Sequence, residues 1–313
     1  AKGVKSYFDN YVKRYNKLLT KKGSTKLKKY TEAVDFMKSV RAVVIDEAHT
    51  AASDSYQNIF TYLSNARLRI GMTGTLDKSK KMENLKIKAI LGNVLLRKTD
   101  KDMENRGFIA KPHIILINET EPKYLEQKVE LELKRLNVPK SQADLTRYQL
   151  AYHYGVITNK SRNTLIAKLV NKLLSKDSKK AILIVVNSLE HGEYIQKALK
   201  DFNIEAIFLQ GKDNTDIRKN VINKVKSGNQ QVLIATKIMD EGIDIPNFRY
   251  FINCAAGKSY IQLLQRIGRV VRLQKDKKDV FIFDIVDRTH KLLYNQAVVR
   301  ARYYKNEGFD IIE

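Results

Sequence analysis

The sequence predicts an α/β protein in which two lobes are each built around a parallel sheet. Short apolar runs rich in β-branched residues alternate with helical stretches, a pattern typical of parallel α/β folds. The 313 residues suffice for two medium-sized domains, and an apolar fraction of 43% can form their cores. Three of the four prolines lie within residues 110–140, in a stretch that fits neither repeating half. This stretch indicates a crossing between the lobes.

The elements follow from the apolar period in chain order. Strands are predicted at residues 41–45, 67–72, 112–118, 180–186, 204–209, 231–235, 248–253 and 280–285. Helices are predicted at residues 53–65, 100–106, 123–137, 143–156, 159–175, 189–201, 214–227, 259–272 and 287–305. Thr99 and Gly107 give one of these helices a start and a stop. The lysine-rich residues 20–30 are expected to form a basic, mobile loop.

Composition restricts the classes of partner. Lys and Arg number 58 against 34 Asp and Glu, and a net charge of +24 favours a polyanion, with nucleic acid first. A lysine-rich genome is the alternative explanation. The single cysteine, Cys254, excludes a disulfide framework and an all-cysteine zinc site. The longest apolar run, at residues 181–186, is too short for a membrane span, and the residues at the start of the given sequence lack the apolar stretch of a signal peptide. These observations predict a soluble, cytoplasmic protein without a membrane partner.

Two carboxylates follow the first predicted strand directly. Ligands of parallel sheets bind at the carboxyl ends of the strands, where Asp46 and Glu47 lie. Asp46 could hold hydrated Mg²⁺, and Glu47 could orient or deprotonate a water that attacks a γ-phosphate. The alternative is that the two acids only solvate a turn. The full string Asp46-Glu47-Ala48-His49 is specific enough to favour the functional interpretation.

The predicted helix at residues 259–272 carries a polar stripe. At about 100° per residue, Gln262, Gln265, Arg269 and Arg272 fall within roughly 80° of one another, with Arg266 beside them. An apolar set should pack on the sheet: Leu263, Leu264, Ile267, Val270 and Val271. Arginine forks bind phosphate oxygens bidentately and stay charged. A solvated basic face is the alternative for such a helix taken alone.

Four strings resemble the motifs of superfamily-2 helicases. Residues 46–49 are similar to the DEAH form of the Walker B motif, and residues 71–75 to motif III. Residues 235–246 resemble motif V, and residues 265–272 resemble motif VI. The resemblance implies two RecA-like lobes, ATP and Mg²⁺ as ligands, and nucleic acid as the partner. It also indicates a likeness to phage branch-migration DNA helicases of the UvsW type.

The resemblance assigns a role to each matching residue. The catalytic set comprises Asp46, Glu47, His49, Gln265, Arg269 and Arg272, with Asp46 holding Mg²⁺ through water. The nucleotide-binding set comprises Gly242, Asp244 and Arg266. The turn that couples nucleotide state to nucleic acid comprises Thr73, Gly74 and Thr75, with His49 and Gln265 as its expected partners. The set expected to contact the nucleic-acid backbone comprises Thr236, Lys237, Asn187, Ser188 and Gly211.

One family motif, the phosphate-cradling Walker A loop, is not found before Asp46. The string Gly257-Lys258-Ser259 imitates its end, but Ile252 stands where the motif needs glycine. We therefore expect residues 1–110 to be the carboxyl-terminal part of a first lobe, residues 111–142 the crossing and residues 143–313 the second lobe. By itself this chain is expected to hydrolyse little ATP.

The expected parent is a monomeric ATP-dependent helicase or translocase that acts on branched or single-stranded DNA. Three alternatives stay open at this point: an RNA helicase, a nucleic-acid-binding module with an incomplete ATPase, and the motor subunit of a restriction enzyme.

Overall fold

The computed structural model of the chain describes residues 25–74, 76, 80–120, 124–177, 180–236, 248–257, 259–272 and 277–312. By its internal contacts the chain divides into two compact units, Ala1–Arg97 and Lys98–Glu313. Within the described residues, every helix is either too short or too polar to cross a membrane.

The first unit contains two parallel strands with helices around them. Its elements are α1 (Thr25–Ser39), β1 (Ala42–Asp46), a 3₁₀ turn (Ala48–Ala52), α2 (Asp54–Tyr62), β2 (Leu68–Met72) and α3 (Lys81–Leu91). The two strands pair in parallel from Ala42 opposite Leu68 to Asp46 opposite Met72.

One face of this two-stranded sheet carries the core of the first unit. Ile45 packs there with Phe60 of α2 and Ile90 of α3. On the opposite face, Val44 and Met72 keep 59% and 52% of their surface exposed. The described part of the unit therefore buries its sheet on one side only, whereas parallel sheets are ordinarily covered on both.

Helix α1 corrects the expectation of a loop for residues 25–30, and residues 20–24 lie outside the described residues. The helix begins at Thr25, within the stretch that was expected to be a loop. Val34 and Met37, three residues apart on one helical face, pack against the core of the unit and hold the helix there. Helix α3 was also missed, although Ile87 and Ile90 pack in the same way.

The second unit is a seven-stranded parallel sheet. Its elements are α4 (Asp100–Asn105), β3 (Lys111–Glu119), α5 (Leu125–Arg135), α6 (Ala143–Tyr152), a π-helical turn (His153–Ile157), α7 (Lys160–Lys176), β4 (Ala181–Val185), α8 (Leu189–Lys200), β5 (Ala206–Leu209), α9 (Thr215–Lys226), β6 (Val232–Ala235), β7 (Phe248–Asn253), α10 (Tyr260–Val270), β8 (Asp279–Asp287), α11 (Lys291–Asn306) and β9 (Asp310–Ile312). The strand order is β5-β6-β4-β7-β8-β3-β9.

Strand β3 lies where the sequence predicted a crossing between lobes. It pairs with β8 along its whole length and with β9 at residues 113–115, so residues 111–119 belong to the sheet of the second unit. The boundary between the units falls after Arg97, upstream of the expected position at residue 110. Pro112 fits in this strand because the pairing with β9 begins one residue later.

Helices cover both faces of the large sheet. Leu183 and Ile282 point to the face covered by α9, α10 and α11, in a core that includes Val221, Ile267 and Tyr304. Ile184 and Ile285 point to the other face, where α7 and α8 contribute Ile166, Val170 and Ile195. Burial on both faces explains why these strands read as continuous apolar runs. All seven strands end at the same edge, and four predicted site residues follow strands there: Asn187, Ser188, Gly211 and Thr236.

Candidate functional site

The turn after β1 holds its two carboxylates in a fixed geometry. Glu47 adopts a left-handed backbone conformation, with φ 53° and ψ 50°. Its N–H donates to Asp46 Oδ1 at 2.9 Å, and its carbonyl accepts from both the N–H and the hydroxyl of Thr50, each at 2.9 Å. A non-glycine residue in this region is strained, and such strain persists where surrounding bonds enforce it. The Asp46-Glu47 pair is therefore presented in one orientation.

His49 links this turn to the end of β2. Its Nδ1 lies 3.0 Å from Thr73 Oγ1 and 3.2 Å from Glu47 Oε2. The contact with Thr73 is the one that the helicase resemblance led us to expect. His49 is mostly buried, while the Glu47 carboxylate remains half-exposed. The strings that resemble the Walker B motif and motif III are thus in direct contact within the first unit.

Gly71 makes this contact possible, which sequence reasoning did not foresee. A Cβ at position 71 would lie 2.5 Å from Leu91 Cδ1 and 2.9 Å from Ala48 Cβ. Contacts that short force a shift, so a side chain here would push the 3₁₀ turn away from β2. Gly74 faces open space, and Thr75 lies outside the described residues.

Asp46 offers a simple arrangement for a divalent cation. Its side chain is exposed at the end of β1, with one oxygen occupied by the Glu47 N–H. Among the described residues no three His, Cys, Asp or Glu side chains converge in a metal-binding group. Mg²⁺ commonly binds through one carboxylate, several waters and substrate phosphates, so the donor set at Asp46 fits that mode.

Helix α10 in the second unit confirms the predicted two-sided pattern. Leu263, Leu264 and Ile267 are buried in the core of the sheet, together with Val270 and Val271. Gln265 and Arg269 are half-buried on the polar side. Arg266 keeps only 4% of its surface exposed, and its Nη2 donates to Asn187 Oδ1 at 3.1 Å. Arg266 therefore reaches the end of β4.

Arg272 corrects one part of the predicted stripe. Helix α10 ends at Val270, so Arg272 lies beyond the helix, where it forms an isolated antiparallel bridge with Ile109. The pairing of residue 272 with the chain before β3 takes the backbone out of the helical path. Arg272 is exposed and does not continue the row formed by Gln262, Gln265 and Arg269.

The residues predicted to contact nucleic acid follow successive strands at one edge of the sheet. Asn187 and Ser188 follow β4, Gly211 follows β5 and Thr236 follows β6. Ser188 accepts from His191 N at 3.2 Å as the N-cap of α8, and the Gly211 carbonyl accepts from Arg218 at 2.8 Å. Three further predicted site residues lie outside the described part: Lys237, Gly242 and Asp244.

Two buried Arg–Asp pairs adjoin this edge, and sequence reasoning missed both. Arg162 Nε donates to Asp287 Oδ1 at 2.6 Å, with both side chains almost fully buried. Arg300 Nη2 donates to Asp284 Oδ1 at 2.6 Å, and Tyr304 OH also donates to Asp284. Asp284 and Asp287, set among apolar residues of β8, were the available signal, because buried charges require partners.

Burial determines the protonation of the groups beside these pairs. Desolvation raises the pKa of Cys254 to about 12 and that of Tyr152 to about 12. Burial is the main cause that holds the pKa of His191 well below its ordinary value, and repulsion from the Arg162 charge is the second cause. At neutral pH all three side chains are uncharged.

Family comparisons agree with the order of these motifs. The model of the helicase conserved C-terminal domain matches residues 164–274, and that of the type III restriction enzyme res subunit matches residues 4–78. The protein named helicase 22 of Sulfolobus islandicus filamentous virus is 27% identical over 271 residues, covering 86% of this chain and 46% of its own length. The ATP-dependent DNA helicase uvsW of Enterobacteria phage T4 is 24% identical over 274 residues, covering 86% and 51%.

A solved structure supports the fold. Saccharomyces cerevisiae Dbp5 bound to RNA and ADP BeF3 aligns with a TM-score of 0.52 at 15% identity, covering 90% of this chain and 63% of that one. The chain spans about half the length of the two curated relatives described above. The ordered motifs, the two family matches and the sequence relatives agree: the chain is similar to the superfamily-2 helicases and has uvsW among its relatives.

Proposed function

We propose that the full-length protein is an ATP-dependent DNA helicase or translocase that acts on branched or single-stranded DNA. The observation that carries this proposal is the turn after β1, where hydrogen bonds fix Asp46 and Glu47 and His49 reaches Thr73 at 3.0 Å. A solvating turn needs neither a strained Glu47 nor a buried histidine link to the next strand. A turn that senses γ-phosphate needs both. The Glu47 carboxylate must be held in one orientation, and the presence or absence of the γ-phosphate must be transmitted to the loop after β2.

Each candidate residue receives a role in ATP hydrolysis. Bound Mg²⁺, held through water at Asp46, would neutralise charge on the phosphates. Glu47 is half-exposed and accepts the proton of the attacking water, or orients that water. Arg269 and Arg272 stabilise charge on the transferred phosphoryl group, and Gln265 contacts the water or the γ-phosphate. Gly242, Asp244 and Arg266 line the nucleotide.

In this proposal Ala1–Arg97 is the carboxyl-terminal part of a first RecA-like lobe and Lys98–Glu313 is the second lobe. By itself the 313-residue chain hydrolyses little ATP. The nucleic-acid backbone is bound at the edge that carries Ser188, Gly211 and Thr236, and Lys237 is a further expected contact. A motor that steps along DNA must hold phosphates, since bases would tie it to particular sequences.

DNA is preferred to RNA as the substrate because uvsW, a relative that aligns over most of the chain, is named a DNA helicase. The structural likeness to Dbp5 with RNA extends only to the fold at 15% identity. That the DNA is branched is the more specific part of the proposal, and it rests on the resemblance to branch-migration helicases of the UvsW type.

The test is ATP turnover by the full-length protein without nucleic acid and with single-stranded DNA, duplex DNA, branched DNA or RNA. Glu47→Gln keeps the shape of the side chain and removes the base, so it should retain ATP binding and abolish turnover. The matched control is Glu83→Gln, which changes an exposed acid of the same unit whose partner is Lys80 at 2.8 Å.

Three results would contradict parts of the proposal. Absence of ATP turnover with every nucleic acid would leave a nucleic-acid-binding module with an incomplete ATPase. Stimulation of ATP turnover by RNA but not by DNA would identify RNA as the substrate. Equal turnover in Glu47→Gln and Glu83→Gln would refute the role of Glu47.

A further inference from the structure

The loop of residues 254–257, which joins β7 to α10, has its carbonyl groups bound by side chains from four different elements. Arg162 of α7 donates to the Cys254 carbonyl at 3.3 Å. Tyr152 of α6 and Asn187 after β4 donate to the Ala255 carbonyl at 2.9 and 2.7 Å. Arg300 of α11 donates to the Gly257 carbonyl at 3.2 Å. We call these four side chains the carbonyl clamp.

The loop is held in a conformation that it would not adopt by itself. Ala256 has a φ of +49°, in the left-handed region that is unfavourable for an alanine. Its side chain is buried in a small cluster with Leu125 and Val129 of α5 and Leu293 of α11. Packing from the α5–α6 pair and the carbonyl clamp therefore hold a strained loop together.

The clamp members keep their donating form at neutral pH. Burial raises the pKa of Tyr152 to about 12, so its hydroxyl stays protonated. Asp287 anchors Arg162 and Asp284 anchors Arg300, each at 2.6 Å. Asn187 bridges two groups, because its amide nitrogen donates to Ala255 while its amide oxygen accepts from Arg266 at 3.1 Å.

The clamp lies immediately before the helix that carries the candidate arginines. Two residues after the loop, Ser259 caps α10 by accepting from Gln262 N at 3.4 Å. A shift of the loop would move the start of α10 and, with it, Gln265 and Arg269. Displacements of about 1 Å at a reacting centre can cost as much as 10²-fold in rate.

We propose that Tyr152 is a positioning residue for ATP hydrolysis, acting through the 254–257 loop on the placement of α10. This inference rests on the proposed function, since it assumes that Arg269 acts on the nucleotide. Asn187 then serves the clamp and Arg266, and its side chain is not a contact for the nucleic-acid backbone. Tyr152 itself touches neither ATP nor nucleic acid.

The test compares Tyr152→Phe with Tyr148→Phe in the full-length protein. Both residues are on α6, with ring centroids 6.0 Å apart. Within the described part of the chain, the Tyr148 hydroxyl makes no hydrogen bond, so the control removes a hydroxyl without touching the clamp. We expect Tyr152→Phe to lower kcat about tenfold and to leave KM for ATP and Kd for DNA within about twofold, because placement of α10 matters most in the transition state. Tyr148→Phe should leave all three constants unchanged.

A double variant separates positioning from a general loss of structure. If Tyr152 acts through Arg269, then Tyr152→Phe should lower kcat little further in an Arg269→Ala background. A merely structural role would reduce kcat by the same factor in both backgrounds. Hydrogen exchange gives a readout independent of turnover, and amides at the start of α10 should exchange faster in Tyr152→Phe than in Tyr148→Phe.

The outcomes distinguish the two proposals. Lost turnover in Arg269→Ala beside normal turnover in Tyr152→Phe overturns the positioning role alone. Unchanged exchange at α10 in Tyr152→Phe overturns the clamp, whatever the turnover. Normal turnover in Arg269→Ala contradicts the arginine assignment in the proposed function, and the positioning role fails with it.

Discussion

Replacing Asp284 by asparagine should destabilise the second unit more than any change to a surface ion pair. Asp284 is 1% exposed and accepts from Arg300 Nε at 2.9 Å and from Arg300 Nη2 at 2.6 Å. Asn253 Nδ2 also donates to Asp284, at 3.2 Å, and so does the Tyr304 hydroxyl. Asp284→Asn keeps the volume but removes the charge that compensates Arg300.

The size of the expected loss in stability follows from a general property of buried ion pairs: removing one partner costs far more than replacing both. Arg300 is 2% exposed, so its charge would stay in the interior without a counter-charge. Removing one partner of such a pair costs about 3–5 kcal/mol, a large share of the roughly 5–15 kcal/mol by which a domain is stable. For a unit of roughly two hundred residues, each 1 kcal/mol lowers Tm by about 2–4 °C. We therefore expect Tm to fall by about 6–20 °C.

Calorimetry and urea unfolding of the full chain would measure this loss. Glu130→Gln is the control, because Glu130 pairs with Arg147 at 2.6 Å while keeping 51% of its side chain exposed. Exposed pairs contribute about 0–1 kcal/mol. A loss in Asp284→Asn no larger than that in Glu130→Gln would refute the reasoning. The double variant Asp284→Leu/Arg300→Met should be more stable than Asp284→Asn, since it leaves no charge unpaired.

Three further predictions concern pH, turnover and salt. Because burial and the Arg162 charge hold the pKa of His191 well below 6.5, the unfolded chain binds a proton that the folded chain does not, and stability is lost as pH falls below 6.5. The free energy of unfolding falls by at most about 1.4 kcal/mol per pH unit. Urea unfolding from about pH 7.5 to 5.5 should show a smaller slope of this free energy against pH in His191→Gln than in the unchanged protein. Identical slopes would contradict this reasoning. In the full-length protein, Arg269→Ala and Arg272→Ala should each lower kcat by about 10³ or more, and near-normal hydrolysis in both would refute their assignment. If about four to six phosphates are neutralised, log affinity for DNA against log salt should slope at about −3 to −5 in anisotropy titrations, and a flat response would exclude phosphate contacts.

The strands were the part of the fold that the sequence predicted best. All eight predicted strands are present, and in the second unit β-branched runs buried on both faces leave a continuous apolar signal. The missed helices, α1 and α3, are rich in lysine, and each shows its apolar face through only two or three residues. Met37 in α1 and Ile90 in α3 become recognisable as core residues only once the neighbouring strands are in place.

The candidate site was predictable where it depends on local pattern. The apolar face of α10 followed from residue spacing, and the contact of His49 with Thr73 was expected from the family resemblance. The position of Arg272 did not, because the end of α10 depends on a bridge to Ile109, far away in sequence. The partners of Arg162 were equally hidden, since Asp287 lies 125 residues further along the chain.

The two buried ion pairs explain how one loop is held from both faces of the sheet. Asp284 and Asp287 are three residues apart on β8, so their side chains point to opposite faces. Each pairs with an arginine from a different helical layer, and each arginine also donates to a carbonyl of the 254–257 loop. Apolar residues of the same volume could stabilise the fold as well, since desolvating a buried pair offsets its attraction. Apolar residues cannot, however, donate to carbonyls in a fixed direction. A displacement of the 254–257 loop along the sheet would break bonds from α7 and α11 together, so both helical layers oppose it.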